Sequence, residues 1–149
     1  MKNESWTIYW NEYAKDAYLY GSELFFHSKD NVEFKNDLMP PGTVIKTWHS
    51  KTNYQMDRIE PTLPMIDGEG SYHITYSVSK DAENYVFIKV VYFDRYGYEC
   101  GSKIIRDKEA YFKCPLKTFS YDIQLISSGV RHFTFHSITI TEISDEEKI

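Results

Sequence analysis

The sequence lacks the short motifs that mark the common enzyme classes. It has no GxSxG elbow, no Walker loop, no GxGxxG and no HExxH. Cysteine is scarce. Cys100 and Cys114 form no CxxC pair and join no Cys/His cluster, so neither a disulfide framework nor a zinc site is expected. Both are read as reduced thiols of a cytosolic protein. No apolar run approaches the ~18 residues of a transmembrane helix. The chain starts Met1-Lys2-Asn3-Glu4-Ser5 and continues Trp6-Thr7-Ile8-Tyr9-Trp10, not an apolar signal core, so no signal peptide is expected. Basic residues are in deficit: 17 Lys and Arg against 22 Asp and Glu give a net charge of −5. Nucleic acid and anionic membranes are therefore not expected as general partners, since both need a basic face.

Helical periodicity is nearly absent as well. Only Asp107 to Phe112 and the acidic tail could be helical, and both are short. Strand signals fill the rest. Ser71 to Lys80 alternates strictly, with Tyr72, Ile74, Tyr76 and Val78 on one face and His73, Thr75, Ser77 and Ser79 on the other. That pattern predicts a half-buried strand. Tyr85 to Phe93 is apolar on both faces and reads as a central, covered strand. Asp94-Arg95-Tyr96-Gly97 is a turn from which Tyr98 to Arg106 returns as a hairpin partner. Further strands are expected at Thr7–Trp10, Tyr18–Tyr20, Glu23–His27, Asn31–Lys35, Thr43–Ser50, Tyr121–Ile126 and His132–Ile143. Within the last, the apolar parity changes between Phe133/Phe135 and Ile138/Ile140, which calls for a β-bulge near His136-Ser137. Pro40-Pro41-Gly42 and Asp67-Gly68-Glu69-Gly70 read as turns, and Pro61 and Pro64 bracket a loop. The expected fold is an all-β antiparallel sandwich of jelly-roll type. Residues 1–143 form one domain, a normal size, and residues 144–149 an acidic C-terminal tail. A chain of this length hides ~70% of its unfolded surface and needs no metal or disulfide to fold.

Aromatic residues are abundant: thirteen Tyr, nine Phe and three Trp make 17% of the chain. They suit strands and a sandwich core, and Tyr also suits recognition surfaces. Trp48, His49 and Tyr54 fall in and after one strand, which fits stacking on a sugar ring or gripping a peptide; Trp48 fits a core position as well. Trp6 and Trp10 would share a face and pack on the sandwich or on a partner. The five histidines scatter over different strands, and His132 and His136 would lie about 13 Å apart on a strand. Asp67, Glu69 and Asp94 sit in turns but lack EF-hand spacing, so a calcium site has little support. The tail carboxylates cannot hold a glycosidase geometry. No catalytic residue, metal ligand or cofactor is assigned.

One ordered set of residues carries a family resemblance. It comprises Tyr18-Leu19-Tyr20-Gly21-Ser22, Val32-Glu33-Phe34-Lys35-Asn36, Leu38-Met39-Pro40-Pro41-Gly42-Thr43-Val44-Ile45 and Trp48-His49-Ser50-Lys51. Tyr54, Pro61 and Leu63-Pro64 follow, then Phe93-Asp94-Arg95-Tyr96-Gly97, Ser120-Tyr121-Asp122-Ile123-Gln124-Leu125, Gly129 and Phe135-His136-Ser137-Ile138. From about Ile8 to about Ile143 the chain resembles the small third Asp proteins of the accessory Sec system of Gram-positive bacteria. The resemblance implies a β-sandwich akin to carbohydrate-binding modules, a cytosolic location that meets the membrane only through the export complex, and no enzymatic activity. It also implies assembly with two larger Asp partners, and export of serine-rich repeat glycoprotein adhesins through a dedicated motor ATPase and channel. Among the motif residues, Trp48, Tyr54 and Asp94 have side chains able to contact a ligand or partner. An alternative expectation is a carbohydrate-binding module that takes glycan on serine-rich chains directly, by stacking on Trp48 or Tyr54.

Overall fold

The computed structural model describes residues 5–10, 17–18, 20–50, 63–64 and 70–143. Alternation in the sequence becomes two facing sheets. The first is built from β1 (Ser5–Ile8), β2 (Glu23–Ser28), β3 (Asn31–Lys35), β5 (Ser71–Val78), β8 (Glu109–Lys113) and β10 (His132–Ile143). Its order is β2-β3-β10-β5-β8, and β1 pairs with the second half of β10. The second sheet contains β4 (Val44–His49), β6 (Val86–Phe93), β7 (Glu99–Ile105) and β9 (Ser120–Ser127), in the order β4-β9-β6-β7. Every strand pair is antiparallel. This is the expected jelly-roll-type sandwich.

β5 buries Tyr72, Ile74, Tyr76 and Val78, the face its alternation marked out. β6 lies between β9 and β7 as expected, with Val86, Ile88, Val90 and Tyr92 facing the core. Its other face is only partly covered: Val91 is buried, while Phe87 and Phe93 are half-buried and Tyr85 is exposed. The bulge in β10 is present. Phe135 pairs with Val78 and Ser137 with Ser77, so His136 is the extra residue that restores the inward parity of Ile138 and Ile140.

Two expectations are corrected. Residues 107–112 hold no helix; β8 spans Glu109–Lys113 and pairs with β5, Tyr72 opposite Phe112. A segment that short cannot nucleate a helix, and the open edge of β5 offers it a complete hydrogen-bond ladder instead. Of the strand expected at Tyr18–Tyr20, Leu19 lies outside the described residues and Tyr18 and Tyr20 belong to no strand; beside them Ala17 makes a single bridge to Lys46, and the Tyr18 amide donates to the Ile45 carbonyl at 2.7 Å. Gly21 at φ +72° turns the chain there. Elsewhere the ends shift by a residue or two; β1 starts at Ser5 and stops at Ile8. Residues 144–149, the expected tail, lie outside the described residues.

Aromatic rings join the sheets. Trp48 of β4 lies 5.3 Å from Phe135 of β10 and 6.4 Å from Trp10, centroid to centroid. Trp10 also meets Phe34 at 5.9 Å and Phe135 at 6.0 Å, and Phe34 meets Phe133 at 5.3 Å. The Trp48 indole N–H donates to the Tyr9 carbonyl at 3.2 Å. Trp48 is 1% exposed, so it has no ring face to offer a ligand or partner: the expected contact role gives way to a core role. Trp48→Ala is expected to cost about 3–5 kcal/mol and, at roughly 2–4 °C per kcal/mol for a domain of this size, to lower the melting temperature markedly. Chemical and thermal denaturation measure it; a loss near zero would show that Trp48 is not the inter-sheet anchor.

Candidate functional site

The strands end in two groups of loops. At one end β6 and β9 meet as Phe93 pairs with Ser120, β5 begins at Ser71 opposite Lys113, and β10 finishes at Ile143. The turn of residues 94–98 and the loop of residues 114–119 close this end. Between them lies an open cleft of about 400 Å³, lined by residues 94–96 and 116–119.

Both loops are held by their own backbone. The Asp94 amide donates to the Tyr98 carbonyl at 2.8 Å, and the Gly97 amide donates back to the Asp94 carbonyl at 3.0 Å. Asp94 Oδ1 accepts from the amides of Tyr96 at 2.9 Å and Tyr98 at 3.0 Å, an Asx turn. Gly97 supplies φ +85°. Across the cleft, the Thr118 amide donates to the Pro115 carbonyl at 3.0 Å and the Phe119 amide to the Phe93 carbonyl at 2.7 Å. This frame presents Tyr96, Tyr98, Leu116 and Phe119 at 76%, 72%, 71% and 52% exposure. Thr118 Oγ1 is buried in the wall without a hydrogen-bond partner among the described residues. A buried hydroxyl in that state costs roughly 1–3 kcal/mol until something satisfies it.

Asp94 is therefore at the cleft, as the framework of the turn. Tyr54 lies outside the described residues. The flanks of its segment are at this same end: the Ser50 amide donates to the Tyr121 carbonyl, the Leu63 amide to the His49 carbonyl, and the Tyr121 hydroxyl to the Pro64 carbonyl. Asp67 and Glu69 also lie outside the described residues, and no group of three metal-capable side chains occurs among those described. The sequence reading missed Tyr96, Lys117 and Phe119. Tyr96 was legible, since an aromatic inside a tight Asx-Gly turn has no strand face to bury; Lys117 and Phe119 follow a strand that was not foreseen.

A second cluster crosses the outer face of the first sheet. Glu33 of β3 takes His27 Nε2 on one carboxylate oxygen at 3.0 Å and His132 Nε2 on the other at 2.6 Å. These two histidines hold the Glu33 carboxyl below its ordinary value of 4.5. His136, by contrast, reaches the Asp30 carbonyl at 2.9 Å. Two of the scattered histidines, His27 and His132, thus meet one carboxylate through hydrogen bonds. His49 pairs with Asp122 at 2.9 Å across β4 and β9. Of the thiols, Cys114 is buried and its pKa is pushed up to about 12, chiefly by desolvation. The hydroxyls of Tyr92 and Tyr121 are raised for the same reason.

Residues 17–142 match the family model described as accessory Sec secretory system ASP3. The chain is similar to the accessory Sec system protein ASP3 of Streptococcus gordonii, at 40% identity over 93% of each chain. It is also similar to a chain in the crystal structure of accessory secretory proteins 1, 2 and 3 of Streptococcus pneumoniae: TM-score 0.86, 33% identity, 93% of this chain and 96% of that one. The fold alone is shared with a Clostridium thermocellum xylanase structure that includes a carbohydrate-binding module: TM-score 0.52, 12% identity, 87% of this chain and 26% of that one. No helix among the described residues is long and apolar enough to cross a membrane.

Two measurements test the chemistry. Alkylation of the native protein at mildly alkaline pH, followed by peptide mapping, is expected to leave Cys114 unmodified until denaturant is added; rapid native labelling would contradict its burial. The Glu33 pKa is lowered on folding, so its stabilising contribution is present above pH 4.5 and is lost as pH falls through the depressed value. The stability gap between wild type and Glu33→Gln is therefore expected to hold above that pH and close below it. A gap independent of pH would show that the histidines do not hold the carboxylate.

Proposed function

We infer that this chain, which belongs to the accessory Sec secretory system ASP3 family, works as a non-enzymatic subunit of a cytosolic export complex. In this reading it assembles with two larger Asp partners, and the assembly delivers serine-rich repeat glycoprotein adhesins to the motor ATPase of the accessory Sec pathway. The observation that carries the reading is its likeness to the pneumococcal chain, whose crystal structure is one of accessory secretory proteins 1, 2 and 3.

The surface supports a life in an assembly. Loops beside β2 and β3 expose Tyr20 and Leu38, and the opposite end of the sandwich exposes the aromatic residues of the cleft. Apolar side chains gathered at loop ends, away from the core, are what a subunit interface covers. The rigid strand framework sets their positions before any partner arrives, which lowers the ordering cost of association.

Tagging the protein at its endogenous level in its native bacterium tests this. Two larger Asp-type proteins are expected to co-purify in fixed ratio. Their absence, particularly with glycosylated chains coming down alone, would overturn the subunit reading. A purified chain that is monodisperse, highly soluble and indifferent to added partners would do the same.

A further inference from the structure

β2 is an edge strand. β3 takes one side of it, and no strand takes the other among the described residues. The other long edges are partly occupied. Ala17 bridges Lys46 and the Tyr18 amide donates to the Ile45 carbonyl along β4, while Lys103 of β7 donates to the Tyr111 carbonyl of β8. β1 runs for only 4 residues. Natural sheets blunt an open edge with lysine or proline, and Glu23–Ser28 contains neither. Phe25 and Phe26 lie there at 45% and 38% exposure. The bulge between Phe26 and Ser28 comes only at the end of the strand.

The outer side chains of β2 form a charge palindrome about Phe25. Glu23 lies opposite Lys35 and Phe25 opposite Glu33. His27 shares their face: its ring stacks on Phe25 at 6.3 Å and its Nε2 donates to Glu33 at 3.0 Å. An acid and a base thus flank the central ring at equal spacing. We propose that β2 pairs antiparallel with β2 of a second copy of this chain, about a two-fold axis at Phe25. That axis sets Phe25 against itself, Glu23 against His27 and Leu24 against Phe26. Aromatic and opposite-charge pairs directly across two strands are favourable. As an imidazolium, His27 donates from both nitrogens, so it spans Glu33 of its own copy and Glu23 of the other. The outer face then alternates in sign across the axis: Lys35 and Glu23, followed by His27 and Glu33 of the second copy. Any strand can complete a backbone ladder, but the order base, aromatic, acid that complements β2 is the order β2 itself presents when reversed. One ladder of 6 residues is small beside the ~1,200 Å² of standard interfaces, so the dimer is weak and concentration-dependent. The proposal rests on β2 alone and not on the subunit reading above.

The test is sedimentation velocity of the full chain from about 10 µM to about 1 mM, a range that brackets weak pairing, beside two variants, Phe25→Lys and Phe25→Glu. A residue on the axis meets its own copy. Each variant alone therefore sets like charges together, whereas an equimolar mixture of the two sets opposite charges together. Wild type is expected to pass from monomer to dimer as concentration rises, with amide exchange slowing at residues 23–28. Each variant is expected to raise the dimer dissociation constant by about tenfold or more, and the mixture to recover pairing. The substituted position is exposed, so melting temperatures should stay close to wild type. A wild type that is monomeric throughout, variants that dimerise as well as wild type, or a mixture no more associated than its components would overturn the proposal. Should residues 23–28 gain protection only when larger Asp-type proteins are added, the edge belongs to that assembly; self-pairing then fails and the subunit reading stands. Should the dimer form and the mixture recover it while no partner co-purifies, self-pairing stands and the subunit reading fails.

Discussion

The two sheets are joined through a buried aromatic cluster in which Trp48 meets Phe135 across the core and Trp10 packs against both. A β-sandwich depends on its buried apolar surface, and large rings bury the most per residue. Trp10 comes from the segment after β1, Trp48 from the β4 edge of one sheet, and Phe34 and Phe135 from the centre of the other. The cluster therefore ties the beginning, middle and end of the chain into one core. It also admits a charge: Lys46, two residues before Trp48, is buried, and its ammonium lies 5.5 Å from the Trp48 ring centroid. The ammonium also donates to the Thr47 carbonyl at 3.3 Å, so a carbonyl and an aromatic face share in accommodating it.

Where period alone decides, the fold was legible. Strict alternation in β5 and the parity change in β10 each specify a strand with a definite inner face, and both lie as read; β6 lies between two strands as its two-sided hydrophobicity indicated, but its second face is only partly covered. The failures share a physical cause. Residues 109–113 become a strand because β5 leaves an edge open, and Tyr18 and Tyr20 stay outside any strand beside the left-handed Gly21. Neither an available edge nor a neighbouring turn is written in the local pattern.

The candidate site was less legible than the fold, since recognition depends on which loops converge. Of the three side chains singled out in the sequence, Trp48 is core, Asp94 frames a turn beside the cleft, and Tyr54 lies outside the described residues. Composition could announce an excess of aromatics but could not divide it between core and surface. The division follows from topology: strand aromatics at inward parity are buried, whereas those in the 94–98 turn and the 114–119 loop have no facing sheet. The histidines make the same point, since His27 and His132 are far apart in sequence yet share one carboxylate because β3 runs between their strands.

The bulge at His136 sets a limit on how this chain can change its length. The first half of β10 faces β3 and the second half faces β1, and the single unpaired residue lets both halves turn their apolar side chains inward. Losing His136 itself would only flatten the bulge and leave Phe135, Ile138 and Ile140 facing inward, whereas losing a residue inside either half would act as a frameshift of side chains, turning apolar residues out and polar ones in. Loops at either end can lengthen or shorten over evolutionary time at small cost. Away from the bulge, a one-residue deletion along this strand is far more severe than most substitutions, so diversification of the molecule is channelled to its two ends.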